Sequence, residues 1–306
     1  MSIRPLAIFD LPFVYSFRDE AIGLDTARTL TRGNPLGAVG LFAYVNPVRH
    51  IYSAIINGNG TEETVLGGII HSRNEPFAKL LFIAPSSQLD HPDLPELIET
   101  LSAQAGEWGA FHVLAEVDET SDAFVALRRA GFSVYAWQRM WDVSEITDAI
   151  RPVEWTKVKP VHMPSVQSLY YQIVPPLLQP IEPQPKSGLG WLCNEGVKCY
   201  VGVMQGVYGI VLSPLIHPKA TFVSEKLASL ISNLPDRRNR PVYLCVRSYQ
   251  AWLEPVLADL GARGADRQAV MVKHLAHLVK EGQTAPAVPT GVSVQPSRVS
   301  RADAKK

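Results

Sequence analysis

Apolar and polar positions follow the same succession of patterns twice along the chain, once on each side of residue 150. Alternating or continuous apolar runs predict strands, and apolar residues three and four apart predict helices. The first half is predicted to contain strand 63–71, strand 77–84, helix 94–108, strand 111–117, helix 121–130 and strand 133–143. The second half is predicted to contain strand 197–204, strand 207–212, helix 221–233, strand 242–247, helix 250–260 and strand 268–274. The offset of about 130 residues is far longer than a solenoid repeat of roughly 20–50 residues, so the pattern indicates a duplicated domain.

Residues at the ends of the predicted helices favour helix boundaries. Asp93 precedes the first helix as an N-cap, with Glu96 three residues later in the arrangement of a capping box. Gly131 and Gly261 follow the second helix of each half, where a left-handed residue is favoured. These residues at the helix ends support the two predicted repeats.

Each half also contains a predicted hairpin and a less regular opening helix. The hairpin turns are expected at 72–76 in the first half and at 205–206 in the second. The opening helices are expected over 21–30 and over 166–178, the latter interrupted by two consecutive prolines. We therefore predict a domain over 1–143, a linker over 144–158, a second domain over 159–280 and a disordered tail over 281–306.

The composition excludes several classes of protein, but it does not indicate which reaction the protein catalyses. Apolar residues make up 46% of the chain and charged residues 19%, so disorder along the whole chain is not expected. The 29 basic and 29 acidic side chains cancel, which argues against a nucleic-acid or membrane partner. The three cysteines form no metal-binding pattern, and no apolar run is long enough to span a bilayer. A cytoplasmic protein with reduced thiols is expected.

The order of elements and one helix resemble the GNAT superfamily of acyl-CoA-dependent N-acyltransferases. The helix reads Thr120-Ser-Asp-Ala123-Phe-Val-Ala-Leu-Arg-Arg-Ala-Gly131-Phe132, in which the alanine and the Gly-Phe pair match the family pattern. Threonine stands where the family commonly has asparagine. The resemblance covers most of residues 1–280, in tandem. It implies an α/β protein of the α+β type with two tandem GNAT-like domains, each a mixed, mostly antiparallel sheet flanked by helices.

The resemblance implies that acetyl-CoA or another acyl-CoA is the cosubstrate. The family holds its pyrophosphate in a Gln/Arg-x-x-Gly-x-Gly/Ala loop, because bare amides at a helix N-terminus attract phosphate. In the first half this loop aligns with 88–93, where Gln88 fits the pattern. His91 and Asp93 replace the two small residues, and Pro92 removes one amide donor.

In the second half the same loop aligns with 217–222. Ala220 fits one small-residue position, and Lys219 could contact a phosphate, whereas Phe222 is large. The resemblance further assigns the thioester carbonyl to backbone amides after Ile83 in the first half or after Leu212 in the second. Neither half has an intact phosphate loop.

No catalytic residue is identified by these patterns. The family often uses a tyrosine as the general acid, and leucines occupy the corresponding positions, Leu127 and Leu257. Candidate general bases are carboxylates or histidines near strand ends: Glu62, Glu63, His71, His112 and Glu116. His274 and His277 have no third ligand nearby, so no metal site is expected.

Two functions remain open at this point. The first is acyl-CoA-dependent N-acyl transfer to a small-molecule or peptide amine, by direct attack of the amine on the thioester. The alternative is a non-catalytic GNAT-like protein that binds a ligand or partner and has lost acyl-CoA chemistry. The degenerate loops and the missing tyrosines support the alternative, but N-acyl transfer is the leading function that the resemblance implies.

Overall fold

The structure is a computed structural model that describes residues 2–37, 50–57, 64–73, 75–146, 153–193 and 197–275. The candidate bases Glu62 and Glu63, the middle of the predicted linker at 147–152 and the predicted tail lie outside these residues. Within the described ranges, no helix is both long enough and apolar enough to cross a membrane.

Thirteen strands are present among the described residues, and they include every strand that the sequence predicts. They are β1 Ser2–Pro5, β2 Ile22–Gly23, β3 His50–Asn57, β4 Val65–His71, β5 Phe77–Ala84, β6 His112–Asp118, β7 Ser133–Asp142, β8 Trp155–Lys157, β9 Gly190–Cys193, β10 Cys199–Gln205, β11 Ile210–Ile216, β12 Val242–Arg247 and β13 Arg263–His274. The predicted helices are also present, with ends shifted by a few residues. The helices are α1 Leu11–Ser16, which the sequence did not predict, α2 Thr26–Arg32, α3 Leu94–Glu107, α4 Asp122–Arg129, α5 Met163–Ile173, α6 Val223–Ser232 and α7 Leu253–Asp259.

Three local predictions differ from the structure. The second-half hairpin turns over 206–209, where the amide of Gly206 donates to the carbonyl of Gly209 at 3.0 Å. Asp93 precedes α3, but its side chain makes no capping hydrogen bond. The predicted opening helix 21–30 is divided, because Ile22–Gly23 is a strand and only Thr26–Arg32 is helical.

All the strands belong to one continuous sheet. Its order is β1-β3-β4-β5-β6-β13-β7-β12-β11-β10-β9-β8, and β2 pairs with β5. The last strand of the second half, β13, lies between β6 and β7 of the first half and is antiparallel to both. Strand β7 in turn pairs with β12 of the second half. The mixed, mostly antiparallel sheet flanked by helices is confirmed. Residues 1–276 form one compact unit, and the domain boundaries stay a prediction.

Helices of each half cover one face of the sheet. Leu97 and Leu101 of α3 and Leu127 of α4 pack with the apolar side chains of β4, β5, β6 and β13. In the second half, Leu227 of α6 and Leu257 of α7 occupy the corresponding core against β11 and β12. Burying each such leucine contributes about 1.5–3 kcal/mol. The opposite face of the sheet is covered by α1, by α5 and by smaller apolar clusters.

The two parallel strand pairs separate before their ends. β5 pairs with β6 only from Phe77 to Lys79, and β11 pairs with β12 only from Ile210 to Leu212. In addition, β5 has a register shift against β4 at Leu81. Each half therefore contains a gap between two diverging strand edges. Backbone N–H and C=O groups along these edges need partners, because unpaired buried groups are costly.

Candidate functional site

The gap between β5 and β6 is filled by the chain itself. Strand β2 pairs antiparallel with β5, with Ile22 opposite Ile83 and Gly23 opposite Phe82. The amide of Leu24 donates to the carbonyl of Leu81 at 2.9 Å. On its other side, the carbonyl of Leu24 accepts from the amide of Glu116 at 2.8 Å. Residues 22–26, here called the bridging segment, thus join the two diverging strands.

Side chains on three strands and a main-chain amide of α2 anchor the bridging segment. The amide of Thr26 donates to Oε2 of Glu116 at 2.9 Å, and its hydroxyl donates to Oε1 of Gln268 at 3.1 Å. The carboxylate of Asp25 accepts from Nζ of Lys79 at 3.0 Å and from the amide of Arg28 at 3.3 Å, where it caps α2.

Asp25 and Lys79 form an ion pair that is largely removed from water. Burial alone lowers the pKa of the Lys79 ammonium, but the carboxylates of Asp25 and Glu116 raise it above its ordinary value. Lys79 therefore stays charged at neutral pH. The pair connects the bridging segment to β5 by charge as well as by main-chain hydrogen bonds.

A polar cluster lies beside the bridging segment and centres on Arg247, at the end of β12. Its Nε lies 3.2 Å from Oε1 of Glu182, and its Nη2 lies 3.8 Å from Oε1 of Glu116. The guanidinium also donates to the amide oxygen of Gln138. Glu182 follows α5 in the chain and accepts a further hydrogen bond from the Tyr249 hydroxyl at 3.3 Å. The cluster joins residues of both halves on one face of the sheet.

The cluster borders a narrow crevice beside the bridging segment. Its lining side chains are Leu24, Lys79, Leu114, Ala115, Glu116, Tyr135, Pro183, Arg247 and Val270. The hydroxyl of Tyr135 is buried without a hydrogen-bond partner. Burial raises the pKa of the Glu182 carboxyl, and the nearby Arg247 offsets this only in part. The crevice therefore carries charged groups of both signs that are mostly paired with each other.

The structure separates the candidate general bases from one another. Of the three candidates that the structure describes, only Glu116 reaches the first gap, where its carboxylate is bound to the bridging segment and lies near Arg247. His112 begins β6, at the end away from the gap, with its Nδ1 3.0 Å from Nδ1 of His274. His71 ends β4, where its Nε2 contacts the carbonyl of Glu75 at 2.9 Å.

The gap between β11 and β12 is closed in a different way, by the side chain of Gln250. Its Oε1 accepts from the amide of Ile216 at 2.9 Å, and its Nε2 donates to the carbonyl of Pro214 at 2.8 Å. Gln250 follows β12 in a 3-10 turn and is only 1% exposed. A single primary amide thus pairs one donor and one acceptor of the β11 edge, as a neighbouring strand would.

The two predicted phosphate loops contain the same kind of turn. The sequence alignment did not place the two turns opposite each other. The amide of Asp93 donates to Nδ1 of His91 at 3.1 Å, and the amide of Lys219 donates to Nδ1 of His217 at 3.1 Å. The residue that follows each then donates its amide to the carbonyl of the same histidine. The structure therefore matches His91-Pro92 with His217-Pro218, whereas the sequence alignment placed Gln88 opposite His217. Two amides of each loop, those of Asp93 and Leu94 and those of Lys219 and Ala220, are thus bound within the turn.

The five predicted cofactor-binding residues lie in two separate regions. Ile83 and Leu212 are fully buried strand residues, and Ile83 pairs with Ile22 of the bridging segment. Gln88 is half-buried in the 3-10 turn before α3. Lys219 is exposed and Ala220 half-buried before α6.

Among the described residues, neither half combines a strand edge that has unpaired backbone groups with a loop that is open to a phosphate. In the first half the bridging segment uses the carbonyl of Leu81 and the amide of Glu116, and in the second half Gln250 uses the β11 edge. Asp90 and Asp93 also place negative charge at the first loop, where a pyrophosphate would bind. The residues present therefore do not fit an acyl-CoA in either gap as the structure has them.

Comparison with known proteins supports the fold. The chain is similar to a GCN5-related N-acetyltransferase from Sphaerobacter thermophilus, with a TM-score of 0.57 and 12% identity over 89% of this chain and 95% of that one. It is also similar to a tandem GNAT protein from the clavulanic acid biosynthesis pathway, with a TM-score of 0.50 and 15% identity over 89% of this chain and 98% of that one. No protein-family model matches the chain, and no curated protein matches it. The predicted resemblance to the GNAT fold, including a tandem relative, is confirmed.

Proposed function

We propose that this chain is a non-catalytic protein built on the acetyltransferase fold, which binds a partner or ligand other than acyl-CoA. The observation that carries the proposal is the main-chain pairing of Leu24, which takes one hydrogen-bonding group from each of the two diverging strands. A thioester carbonyl or an extended amide chain placed in this gap would need backbone groups of the same strand edges. The bridging segment and such a ligand exclude each other.

Features outside the first gap support the same proposal. Gln250 closes the second gap, and the histidine side chain of each loop accepts a hydrogen bond from one loop amide. Leu127 and Leu257 are fully buried core residues that cannot transfer protons. The two halves depart from the family's acyl-CoA contacts at different residues, which agrees with binding as the function of the whole protein.

Calorimetric titration with acetyl-CoA and desulfo-CoA tests the proposal. We expect no heat of binding and no change of Tm at millimolar ligand. A ligand present at a hundred times its Kd would stabilise the native state by about 2.7 kcal/mol, which raises the Tm of a chain of this length by several degrees. Micromolar binding of either compound would contradict the proposal.

The second candidate function is acyl-CoA-dependent N-acyl transfer to a small-molecule or peptide amine. The likeness to acetyltransferases favours it, as do Glu116 and Tyr135 beside the crevice. It requires the bridging segment or Gln250 to leave its gap when acyl-CoA binds. If binding is found, Lys219→Glu should abolish it when the second half is competent, and Gln88→Ala should weaken it when the first half is. Thiol release in the presence of amines then measures turnover.

A further inference from the structure

A long irregular segment of the second half reaches into the polar cluster. It runs over residues 175–189, between α5 and β9, and is here called the strap. Five of its 15 residues are prolines, which disfavour a regular helix or strand. Ordered connections of this length are uncommon in compact domains, and they usually serve binding or catalysis. The strap is therefore a candidate functional element.

Two adjacent residues fix the strap on the sheet. Within the strap, all of which the structure describes, only Ile181 and Glu182 are buried. Ile181 packs with apolar side chains of β5, β6 and β13, and the carbonyl of Glu182 accepts from the hydroxyl of Tyr170 at 3.1 Å. Most of the residues over 183–189 are exposed. Glu182 thus lies at the border between the core and an exposed stretch, from which its side chain can reach water.

The Glu182 carboxylate is held in the way in which proteins hold a carboxylate ligand. Nε of Arg247 lies 3.2 Å from its Oε1, and Nη2 of Arg247 donates to its Oε2 at 3.4 Å. Two neighbouring guanidinium nitrogens therefore face the two carboxylate oxygens, which is the arrangement by which arginine recognises carboxylates. The Tyr249 hydroxyl donates to Oε1 at 3.3 Å.

The fit of this tethered carboxylate is incomplete. Its distances to Arg247, 3.2 and 3.4 Å, exceed the roughly 2.7–2.9 Å of a close charge-assisted hydrogen bond. Among the described residues, the buried hydroxyl of Tyr135 in the crevice has no hydrogen-bond partner. Burial raises the pKa of this hydroxyl, and the charges of Glu182 and Arg247 act on it in opposite directions, so it lies close to both groups. A carboxylate that is not tied to the strap is free to approach Arg247 more closely and to accept from Tyr135.

We propose that Arg247, Tyr249 and Tyr135 form a binding site for a small carboxylic acid, and that the strap fills this site with Glu182 when no ligand is bound. The inference rests on the proposed function, because it names the class of ligand that the non-catalytic protein binds. The exchange leaves the charge of the polar cluster unchanged, since one carboxylate replaces another. The crevice is narrow and partly apolar, which fits a short alkyl chain; its apolar side chains include Leu24, Leu114 and Val270.

Titration of the full chain and of Glu182→Ala with acetate tests the inference. The Tm is followed at neutral pH and at constant ionic strength, with chloride as the anion that acetate replaces. We expect Glu182→Ala to lower the Tm and acetate to restore it, with saturation in the millimolar range that so small a ligand allows. The wild type should bind acetate at least about tenfold more weakly, because Glu182 competes for the site. Acetamide, which has the same shape without the charge, should have no effect.

Further variants locate the site. Arg247→Gln added to Glu182→Ala should abolish the response to acetate, because the charged donor is lost. Glu145→Ala is the matched control, since it removes a carboxylate from an exposed pair with Arg263 and should give no response. Circular dichroism verifies the fold of each variant. If Glu182→Ala does not fold, Glu182→Gln keeps the size of the side chain and should still bind acetate more tightly than the wild type.

Three results would overturn the inference. The first is a folded Glu182→Ala or Glu182→Gln variant that does not respond to acetate. The second is an equal response of Glu182→Ala with and without Arg247→Gln, and the third is an equal response to acetate and acetamide. None of these results concerns acyl-CoA, so the proposed function would stand. Binding of acetyl-CoA to the wild type would contradict the proposed function whatever the response to acetate.

Discussion

The carbonyl of Leu24 accepts a hydrogen bond from the amide of Glu116 at 2.8 Å, at the point where β5 and β6 have already separated. Two parallel strands that diverge inside a protein leave facing backbone groups without partners, at a cost of about 1–3 kcal/mol for each group. The first half meets this demand with its own main chain, and the second half meets it with the side chain of Gln250. The same structural requirement is thus satisfied by two unrelated elements, each of which pairs with backbone groups at a strand edge.

The ion pair between Asp25 and Lys79 should make a measurable contribution to stability. Lys79→Met removes the cation and leaves Asp25 buried with only the Arg28 amide as a partner. We expect the free energy of unfolding to fall by about 3 kcal/mol, measured by urea denaturation. The exposed pair Arg263–Glu145 is the control, and Arg263→Ala should change it by less than about 0.5 kcal/mol.

A double-mutant cycle separates the ion pair from the packing of the lysine chain. Asp25→Asn combined with Lys79→Met should cost less than the sum of the two single changes, because no buried charge is then left unpaired. Strict additivity would show that Lys79 and Asp25 do not stabilise each other. The bridging segment would then be held by its main-chain hydrogen bonds and by the contacts of Thr26 with Glu116 and Gln268, without a contribution from the ion pair.

Regular elements could be predicted from the sequence because their signals are local. The limits of β5 at Phe77 and Ala84 agree with the apolar run, and α3 begins at the predicted residue. The position of β13 between β6 and β7 could not be predicted in this way. Periodicity identifies a strand, but it does not identify the neighbours with which the strand pairs.

The residues that fill the gaps gave no recognisable signal. Ile22 and Gly23 are too few to show a period, and they are extended because β5 supplies their partners. Gln250 was expected at the start of a helix, and its partners Pro214 and Ile216 lie more than thirty residues away. The repeated His-Pro pairs of the two loops were visible in the sequence, and His91 and His217 could have been matched from it.

The hairpin turn between β10 and β11 packs against the end of α2, directly after the bridging segment. A Cβ atom on Gly206 would lie 2.0 Å from the carbonyl oxygen of Thr31, so backbone must move to accept it. We expect Gly206→Ala to lower the free energy of unfolding by about 1–3 kcal/mol. Gly106→Ala is the matched control, since its Cβ would have only an ordinary contact at 3.8 Å.

The control should change stability in the opposite direction. Gly106 lies inside α3, where alanine is favoured over glycine by about 0.5–1 kcal/mol. Thermal unfolding of both variants checks the pair. A Gly206→Ala variant as stable as Gly106→Ala would show that the turn does not pack closely on α2.

The thiols should be unreactive in the native protein. Burial raises the pKa of Cys245 to about 12, so this thiol stays protonated at about pH 8. Cys193 and Cys199 are buried in the core that α6 covers. Ellman's reagent should therefore label no thiol in the native state and all 3 cysteines after denaturation. Rapid labelling of the native chain would show that one of these sites is open to solvent.

Gln250 should be required for the stability of the second half. Gln250→Ala leaves the amide of Ile216 and the carbonyl of Pro214 without their partner in a site closed to water. We expect a loss of about 2–4 kcal/mol, since each unsatisfied buried group costs about 1–3 kcal/mol and water can recover only part of it. Gln172→Ala, at an exposed position of α5, is the control and should have an effect below about 0.5 kcal/mol.

The conservative change Gln250→Glu distinguishes hydrogen bonding from packing. The carboxylate keeps the size of the side chain and can still accept from the amide of Ile216, but it cannot donate to the carbonyl of Pro214. We therefore expect Gln250→Glu to be at least as destabilising as Gln250→Ala at neutral pH and to recover stability as the carboxyl is protonated at lower pH. If Gln250→Glu is as stable as the wild type at neutral pH, the amide does not close the gap by pairing with β11.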